Sequence, residues 1–285
     1  MAGPNGGALA LVRVIHPLPS TLVAVTTAGL ALVAGADPSR AALVGLAMLA
    51  FQVSIGADND IHDARSDALV KPTKPIPAGA LARQTAAVVA IGSLLVGMIL
   101  SASFGPVAVL VAMLGVCCGY AHTRWTKGRP IDLLAFGAGI ALVPVYAWAA
   151  GVGSLPPALA AGIVLAGLAG AGLGLANGLS DLERDRSGGV GSLAERLGVA
   201  AARRLVAVIL LAAIGGALAS LALLDAIGPA SGAAVGLVAL GAMVAIAGLV
   251  IIWRPTARPE LGWEVAAVGV GVMAIGCFAA VSGVG

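Results

Sequence analysis

The chain has 285 residues, of which 60% are hydrophobic and only 10% charged, with a formal net charge of +3. A mean hydropathy of +1.05 is far more than a soluble domain of this length needs for its core, so a water-soluble globular protein is excluded. The small positive excess offers no footprint for nucleic acid, and the surrounding to expect is the lipid bilayer.

In chain order, the first twenty residues carry one arginine and a His16-Pro17-Leu18-Pro19 break. They lack a cleavable leader pattern, so the first span is expected to be retained. Nine apolar runs of roughly bilayer length follow: 20–36, 41–57, 84–103, 107–121, 131–150, 157–179, 205–224, 232–252 and 263–284. Alternation is absent and the runs are too long for strands. The fold class expected is therefore all-α: a single polytopic domain over 1–285, nine transmembrane helices in a bundle. The 41 glycines have no collagen period and suit close helix approach in a membrane. Cys117, Cys118 and Cys277 lie inside apolar runs and read as small core residues. Trp125, Trp148, Trp253 and Trp263 read as interfacial anchors.

The breaks are of two kinds. Asp37-Pro38-Ser39, Gly105-Pro106, Gly153-Ser154-Leu155-Pro156-Pro157 and 225–232 are short turns. The breaks at 58–83, 122–130, 180–204 and 253–262 are long and charged. Nine spans put the two kinds on opposite sides, with 15 of the 16 Lys and Arg on the charged side and Arg40 alone on the other. Excess Lys and Arg mark the cytoplasmic face, which places the N-terminus and the charged loops there.

The densest polar stretch ends the second run: Asn59-Asp60-Ile61-His62-Asp63-Ala64-Arg65-Ser66-Asp67. On a helix, Asn59, Asp63 and Asp67 are spaced i, i+4, i+8, with Asp60 beside them. The spacing returns 118 residues later as Asn177, Asp181 and Asp185, at the end of the sixth span on the same face. Each copy leads into a basic, Gly-containing loop, so two pseudo-repeated units with facing acidic stripes are expected. One such cluster alone would be an ordinary solvated helix end. Two with the same spacing, both overlapping the apolar boundary, are not. A carboxylate at the bilayer centre costs roughly 2.5–3.5 kcal/mol on insertion scales, so these must face a wet cavity or a cation.

Hard carboxylate oxygens without intervening thiols suit Mg²⁺, which takes one or two carboxylates plus substrate phosphates. Opposed stripes would then hold a diphosphate through metal. Tyr120, Arg124 and Lys127 follow the fourth span on the same face, and Arg65, Lys71, Lys74 and Arg186 flank the stripes. Arg203, Arg204, Arg254 and Arg258 are assigned to membrane orientation alone.

These residues resemble the UbiA superfamily of intramembrane prenyltransferases. Asn59, Asp60, Asp63 and Asp67 match its Asn-Asp-x-x-Asp-x-x-x-Asp motif at every position. Lys71-Pro72-Thr73-Lys74-Pro75-Ile76-Pro77-Ala78-Gly79 is similar to its Lys-Pro-Leu-x-x-Gly continuation. Asp181 to Asp185, with Arg186, Gly189, Leu193 and Leu197-Gly198, resembles its Asp-x-x-x-Asp motif and trailing loop. Arg13 to Pro17 resembles its N-terminal entry. Where the family has Tyr-x-x-x-Lys, this chain has Tyr120-Ala121-His122-Thr123-Arg124, so the cation at the diphosphate is Arg124, Lys127 or both. The Ser-Pro-Pro run of the aromatic-acid members is missing between His122 and Pro130.

The resemblance implies transfer of a prenyl group from a polyprenyl diphosphate to an aromatic, quinone-precursor or lipid acceptor. It implies Mg²⁺ on Asn59, Asp60, Asp63, Asp67, Asn177, Asp181 and Asp185, with catalysis by the five aspartates. Tyr120, Arg124, Lys127, Arg65, Lys74 and the two asparagines would bind the diphosphate over a cytoplasmic-face cavity. Dry apolar walls would keep water from the allylic cation. Asp67 and Glu183 are candidates for the base. His62 and His122 read as polar helix-end residues, and His16 as an entry break. Gly115, Gly137, Gly139 and Gly174 are expected to set cavity length. A terpene cyclase of the same superfamily would use the same clamp. An ion or metabolite transporter fits less well, because the opposite face carries only Asp37, Arg40 and Asp225.

Overall fold

The computed structural model describes residues 4–184, 192–225, 231–254, 258 and 260–283. Helix is the only regular structure among them. The helices are α1 (Pro4–Val14), α2 (Pro17–Val33), α3 (Pro38–Val70), α4 (Arg83–Ala102), α5 (Pro106–Ala121), α6 (Asp132–Gly151), α7 (Ala160–Arg184), α8 (Leu193–Leu197), α9 (Val199–Asp225), α10 (Gly232–Trp253) and α11 (Glu260–Ser282). Eight of them are long and apolar enough to cross a membrane, and α2, at 17 residues, is a shorter apolar helix beside them. This agrees with the expected all-α bundle of nine spans. The helix α1 was not expected. It packs Ala10 and Val14 against Leu81 and Ala86, and so braces the loop after α3.

Starts follow local chemistry. Proline occupies the first turn of α2, α3 and α5, where its missing N–H costs nothing. Asp37 caps α3, its carboxylate accepting from the backbone N–H of Ser39 and Arg40 at 3.0 Å each. Gly105 enters α5 at φ 111°, a left-handed turn that favours glycine.

The core has two main parts. Apolar residues of α2, α3, α5 and α6 form one, around Leu30, Val44, Phe51, Tyr146 and Trp148. Residues of α7, α9, α10 and α11 form the other, around Leu179, Val206, Leu210 and Val238. Contacts of α6 with α7, and of α2 with α11, join the two.

Two expectations need correction. Trp148 is buried with its ring tilted against that of Phe278 at 5.3 Å, so it is a core residue rather than an interfacial anchor. Trp125 and Trp253 are exposed as anchors should be. Cys117 is exposed on the bundle surface, not in the core; Cys118 and Cys277 are half-buried, and all three are free thiols.

Candidate active site

The site is built on the part of α3 that outlasts its apolar sequence. At 33 residues the helix is about 50 Å long, against roughly 30 Å of hydrocarbon. Its last turns carry the first acidic stripe beyond the apolar segment. Asp60 and Asp67 are buried, Asn59 and Asp63 half-buried, and Arg65 and His62 exposed on the outer side. Arg65 therefore lies away from the other predicted residues.

The loop after α3 folds back over the stripe. Its prolines restrict the backbone, Gly79 turns at φ 68°, and the backbone N–H of Leu81 donates to the carbonyl of Pro75. This return brings Lys74 Nζ between two carboxylates, 2.8 Å from Asp60 Oδ1 and 2.7 Å from Asp67 Oδ2. Burial alone would lower the Lys74 pKa. The carboxylates of Asp60 and Asp67 outweigh it and raise the ammonium above the ordinary lysine value. His16 adds a third contact, with Nε2 3.1 Å from Asp60 Oδ1. Its backbone is left-handed, at φ 47°, an arrangement that costs about 1–3 kcal/mol in a non-glycine residue. His16 is more than an entry break: the Pro17 start of α2 and the Asp60 contact together fix it.

The second stripe meets the first through a lysine. Lys71, at the C-terminus of α3, puts Nζ 2.8 Å from Asp181 Oδ1 on α7. Asp185, Arg186 and Gly189 lie outside the described residues, as do the side chains of Glu183 and Arg184. The side-chain amides of Asn59 and Asn177 have no hydrogen-bond partner among the described residues.

The segment after α5 supplies the remaining cations. His122 to Thr126 form one π-helical turn, closed by the backbone N–H of Lys127 on the carbonyl of His122 at 3.0 Å. Such a turn inserts an extra residue and re-aims the side chains that follow. Lys127 then reaches Asp63 Oδ2 in a short ion pair. Arg124 instead grips Asp58 with two bonds, Nη2 to Oδ1 at 2.5 Å and Nε to Oδ2 at 3.1 Å, and its guanidinium sits 5.2 Å over the Tyr120 ring. The Tyr120 hydroxyl is 2.8 Å from Ser54 Oγ. Ser54 donates its own proton to the carbonyl of Ala90, so Tyr120 is the donor in that pair. Asp58 and Ser54 were not singled out from the sequence. The only signal for Asp58 was Arg124 itself, since an arginine at the usual lysine position invites a bidentate carboxylate.

Four cations, Lys71, Lys74, Lys127 and Arg124, thus stand against five carboxylates, Asp58, Asp60, Asp63, Asp67 and Asp181. Among the described residues no three acidic, histidine or cysteine side chains converge tightly enough to hold a metal. The donor set nevertheless fits a divalent cation: Asp60 and Asp67 already share one positive centre in Lys74, and every ligand is a hard oxygen.

Beneath the cluster, α3, α5 and α6 enclose an apolar cavity of about 120 Å³. Ile55 and Gly119 line it near the acids, Gln52, Gly115 and Gly139 along it, and Tyr146 at the deep end. No charged side chain lines it. The Tyr146 hydroxyl is tied to Ser101 at 2.7 Å. Gly115 and Gly139 therefore do border the cavity, whereas Gly137 and Gly174 serve packing: a Cβ there would lie 2.7 Å from the Gly167 carbonyl and 2.8 Å from the Phe136 ring.

The fold and this site define a polytopic helical membrane protein with an ion-paired acid clamp over an apolar cavity. The chain belongs to the UbiA prenyltransferase family, whose model matches residues 22–260. It is 30% identical to a digeranylgeranylglyceryl phosphate synthase of Haloquadratum walsbyi over 74% of each chain. Synthases of the same name from Metallosphaera sedula and Korarchaeum cryptofilum align at 38% and 31% identity over 27% and 55% of this chain, spanning only 28% and 56% of their own lengths. In fold the chain is similar to a UbiA homologue of Aeropyrum pernix, with a TM-score of 0.73 at 22% identity over 91% of this chain and 97% of that one. A homologue from Archaeoglobus fulgidus, bound to GPP and Mg²⁺, gives a TM-score of 0.70 at 15% identity over 94% and 98%. The same homologue has also been seen with Cd²⁺.

Proposed function

We propose that this protein transfers a prenyl group from a prenyl diphosphate to a lipid-like acceptor within the membrane, with Mg²⁺ as its metal. The observation that carries this reading is the clamp itself: two acidic stripes on α3 and α7, tied by Lys71, over a cavity without charged lining. The acceptor class draws on the relatives, whose name describes a glyceryl phosphate carrying two geranylgeranyl groups. The apolar lining suits the hydrocarbon tail of such an acceptor, whose phosphate would stay at the cations of the clamp.

Asn59, Asp60, Asp63 and Asp67 on one side, and Asn177, Asp181 and Asp185 on the other, would hold the metal. When bound, Mg²⁺ would supply Lewis-acid neutralisation of the departing diphosphate. The protein residues do the rest. Lys71, Lys74 and Lys127 now neutralise carboxylates and are positioned to turn to phosphate oxygens when the donor enters. Tyr120, with its hydroxyl fixed by Ser54, orients the leaving group or its neighbours. Arg124 acts on the diphosphate less directly, because Asp58 occupies both arms of its fork. Met48, Phe51, Val111 and Val143 give the prenyl chain a water-free path, which protects an allylic cation from capture. The two acid motifs are read as matching halves of a pseudo-repeat, and the acid-bearing end as cytoplasmic.

Purified protein in lipid nanodiscs should release diphosphate from geranylgeranyl diphosphate only with Mg²⁺, and mass spectrometry should find the prenyl group on the acceptor. Folded Asp63→Ala or Asp181→Ala protein that keeps full turnover, or activity that survives chelation, would sink the reading. A bare cyclic hydrocarbon or alcohol as product would replace transfer by cyclisation.

A further inference from the structure

A nucleophile that captures a prenyl cation must also lose a proton, and the acids of the clamp are poorly placed to take it. Asp60, Asp63, Asp67 and Asp181 each face a lysine. One titratable pair lies outside the clamp and beside the apolar cavity. His122 opens the π-helical turn and lines the cavity. Its Nδ1 is 2.7 Å from Asp132 Oδ1 in the first turn of α6. The Thr126 hydroxyl donates to the same oxygen at 2.7 Å, and the Phe136 ring meets the imidazole edge-on at 5.2 Å.

Each of these contacts fixes the imidazole. A carboxylate at Nδ1 keeps the proton there, so the lone pair of the neutral ring sits on Nε2. Thr126 holds the carboxylate, and the helix N-terminus of α6 favours its charge. Phe136 sets the ring plane. A polar helix-end residue would need none of this. A structural pair would equally be expected to sit away from the cavity rather than on its wall.

We propose that His122 is the proton acceptor for a hydroxyl-bearing acceptor, with Asp132 and Thr126 as its positioning residues. This rests on the prenyl-transfer reading above. The C1–O bond of the donor breaks, and its electron pair leaves with the diphosphate. The acceptor oxygen forms the new C1–O bond and passes its proton to His122 Nε2. The resulting imidazolium faces Asp132, and its proton returns to solvent between turnovers. No oxidant or reductant enters.

The test uses full-length protein in nanodiscs with Mg²⁺, geranylgeranyl diphosphate as donor and a geranylgeranyl ether of glyceryl phosphate as acceptor. General-base removal typically costs about 10²–10⁴-fold. His122→Gln should lower kcat within that range, while the Kd for a non-hydrolysable thio-diphosphate donor stays at the wild-type value. In His122→Gly, added imidazole should restore turnover, which a merely structural role would not allow. Asp132→Asn should lower kcat without weakening donor binding. A His122→Gln enzyme that matches wild-type turnover overturns the assignment. So does a loss of activity and donor affinity together that imidazole does not rescue. Wild-type protein that releases no diphosphate from the donor would overturn prenyl transfer itself, and this assignment with it. The two failures are therefore distinct.

Discussion

At the residue scale, Lys74 occupies a place that a divalent ion could also fill. Its side chain is 19% exposed, and those of Asp60 and Asp67 are 3% and 7% exposed, so these charges depend on one another rather than on water. Leaving a buried charge without its partner costs about 3–5 kcal/mol. Lys74→Met should therefore lower the melting temperature in EDTA. Because no ammonium then competes for the two carboxylates, Mg²⁺ should raise the melting temperature more in the variant than in the wild type. An equal Mg²⁺ response in both proteins would show that Lys74 does not occupy the metal's place. The pH dependence has a definite sign. Lys74 is held above its ordinary value of 10.5, so its contribution is complete below that pH and is lost only as pH rises through the higher folded value. No loss from this lysine is expected near neutrality. Lys74 could be named from its place in the loop. Its partners could not, because the loop return that brings it to Asp60 depends on Gly79, Leu81 and the unforeseen packing against α1. Asp58 was missed for a related reason: beside the regular stripe it sits out of step, and only the position of Arg124 in space shows what it does.

At the element scale, hydropathy made the long helices legible because each apolar run has nowhere else to go. It did not show that α3 continues to Val70, or that a π-helical turn follows α5. Both depend on tertiary contacts made by polar residues, to which a hydropathy count is blind. The glycines are a second example. Their number signalled close packing, but not where it occurs. The tightest seam is between α10 and α11, where a Cβ on Gly269 would lie 2.2 Å from the backbone nitrogen of Ala245 and one on Gly241 2.3 Å from that of Met273. Only glycine allows backbones to approach this closely. This seam lies in the α7–α9–α10–α11 core, away from the cavity. Overpacking a tight core costs about 1–3 kcal/mol or more, so Gly269→Leu should lower the melting temperature while surviving folded protein keeps its KM for donor. A Gly269→Leu protein as stable as wild type would show that the two helices are not held at this distance.

At the scale of the whole molecule, α2 decides the topology, because its crossing sets the sides on which the segments before it and after α11 lie. At 17 residues the helix is about 26 Å long, a little short of a typical hydrocarbon core. Its two ends are nonetheless fixed at opposite ends of the bundle. His16, just before Pro17, touches Asp60 in the acid cluster. Ala31, near the other end, lies against Gly151 at the end of α6, where the Cβ of Ala31 would be 3.4 Å from an added Cβ. A helix anchored at both ends of the bundle should span it, so we predict nine crossings among the described helices, with the segments before α2 and after α11 on opposite sides. The one basic residue at the far end, Arg40, supports this arrangement: its Nε donates to the carbonyl of Ala150 at 2.8 Å, and its guanidinium lies over the Phe104 ring. Tied in this way to the C-terminus of α6, its charge is met by the carbonyl end of that helix. Lys71, Lys74, Arg124 and Lys127 lie at the acid end and should hold it in the cytoplasm. A fluorescent protein fused before α1 should therefore fold and fluoresce, and alkaline phosphatase fused after α11 should be active outside. Both reporters reporting the same side would mean that α2 does not cross. Both switching sides would mean that the charged end faces outward.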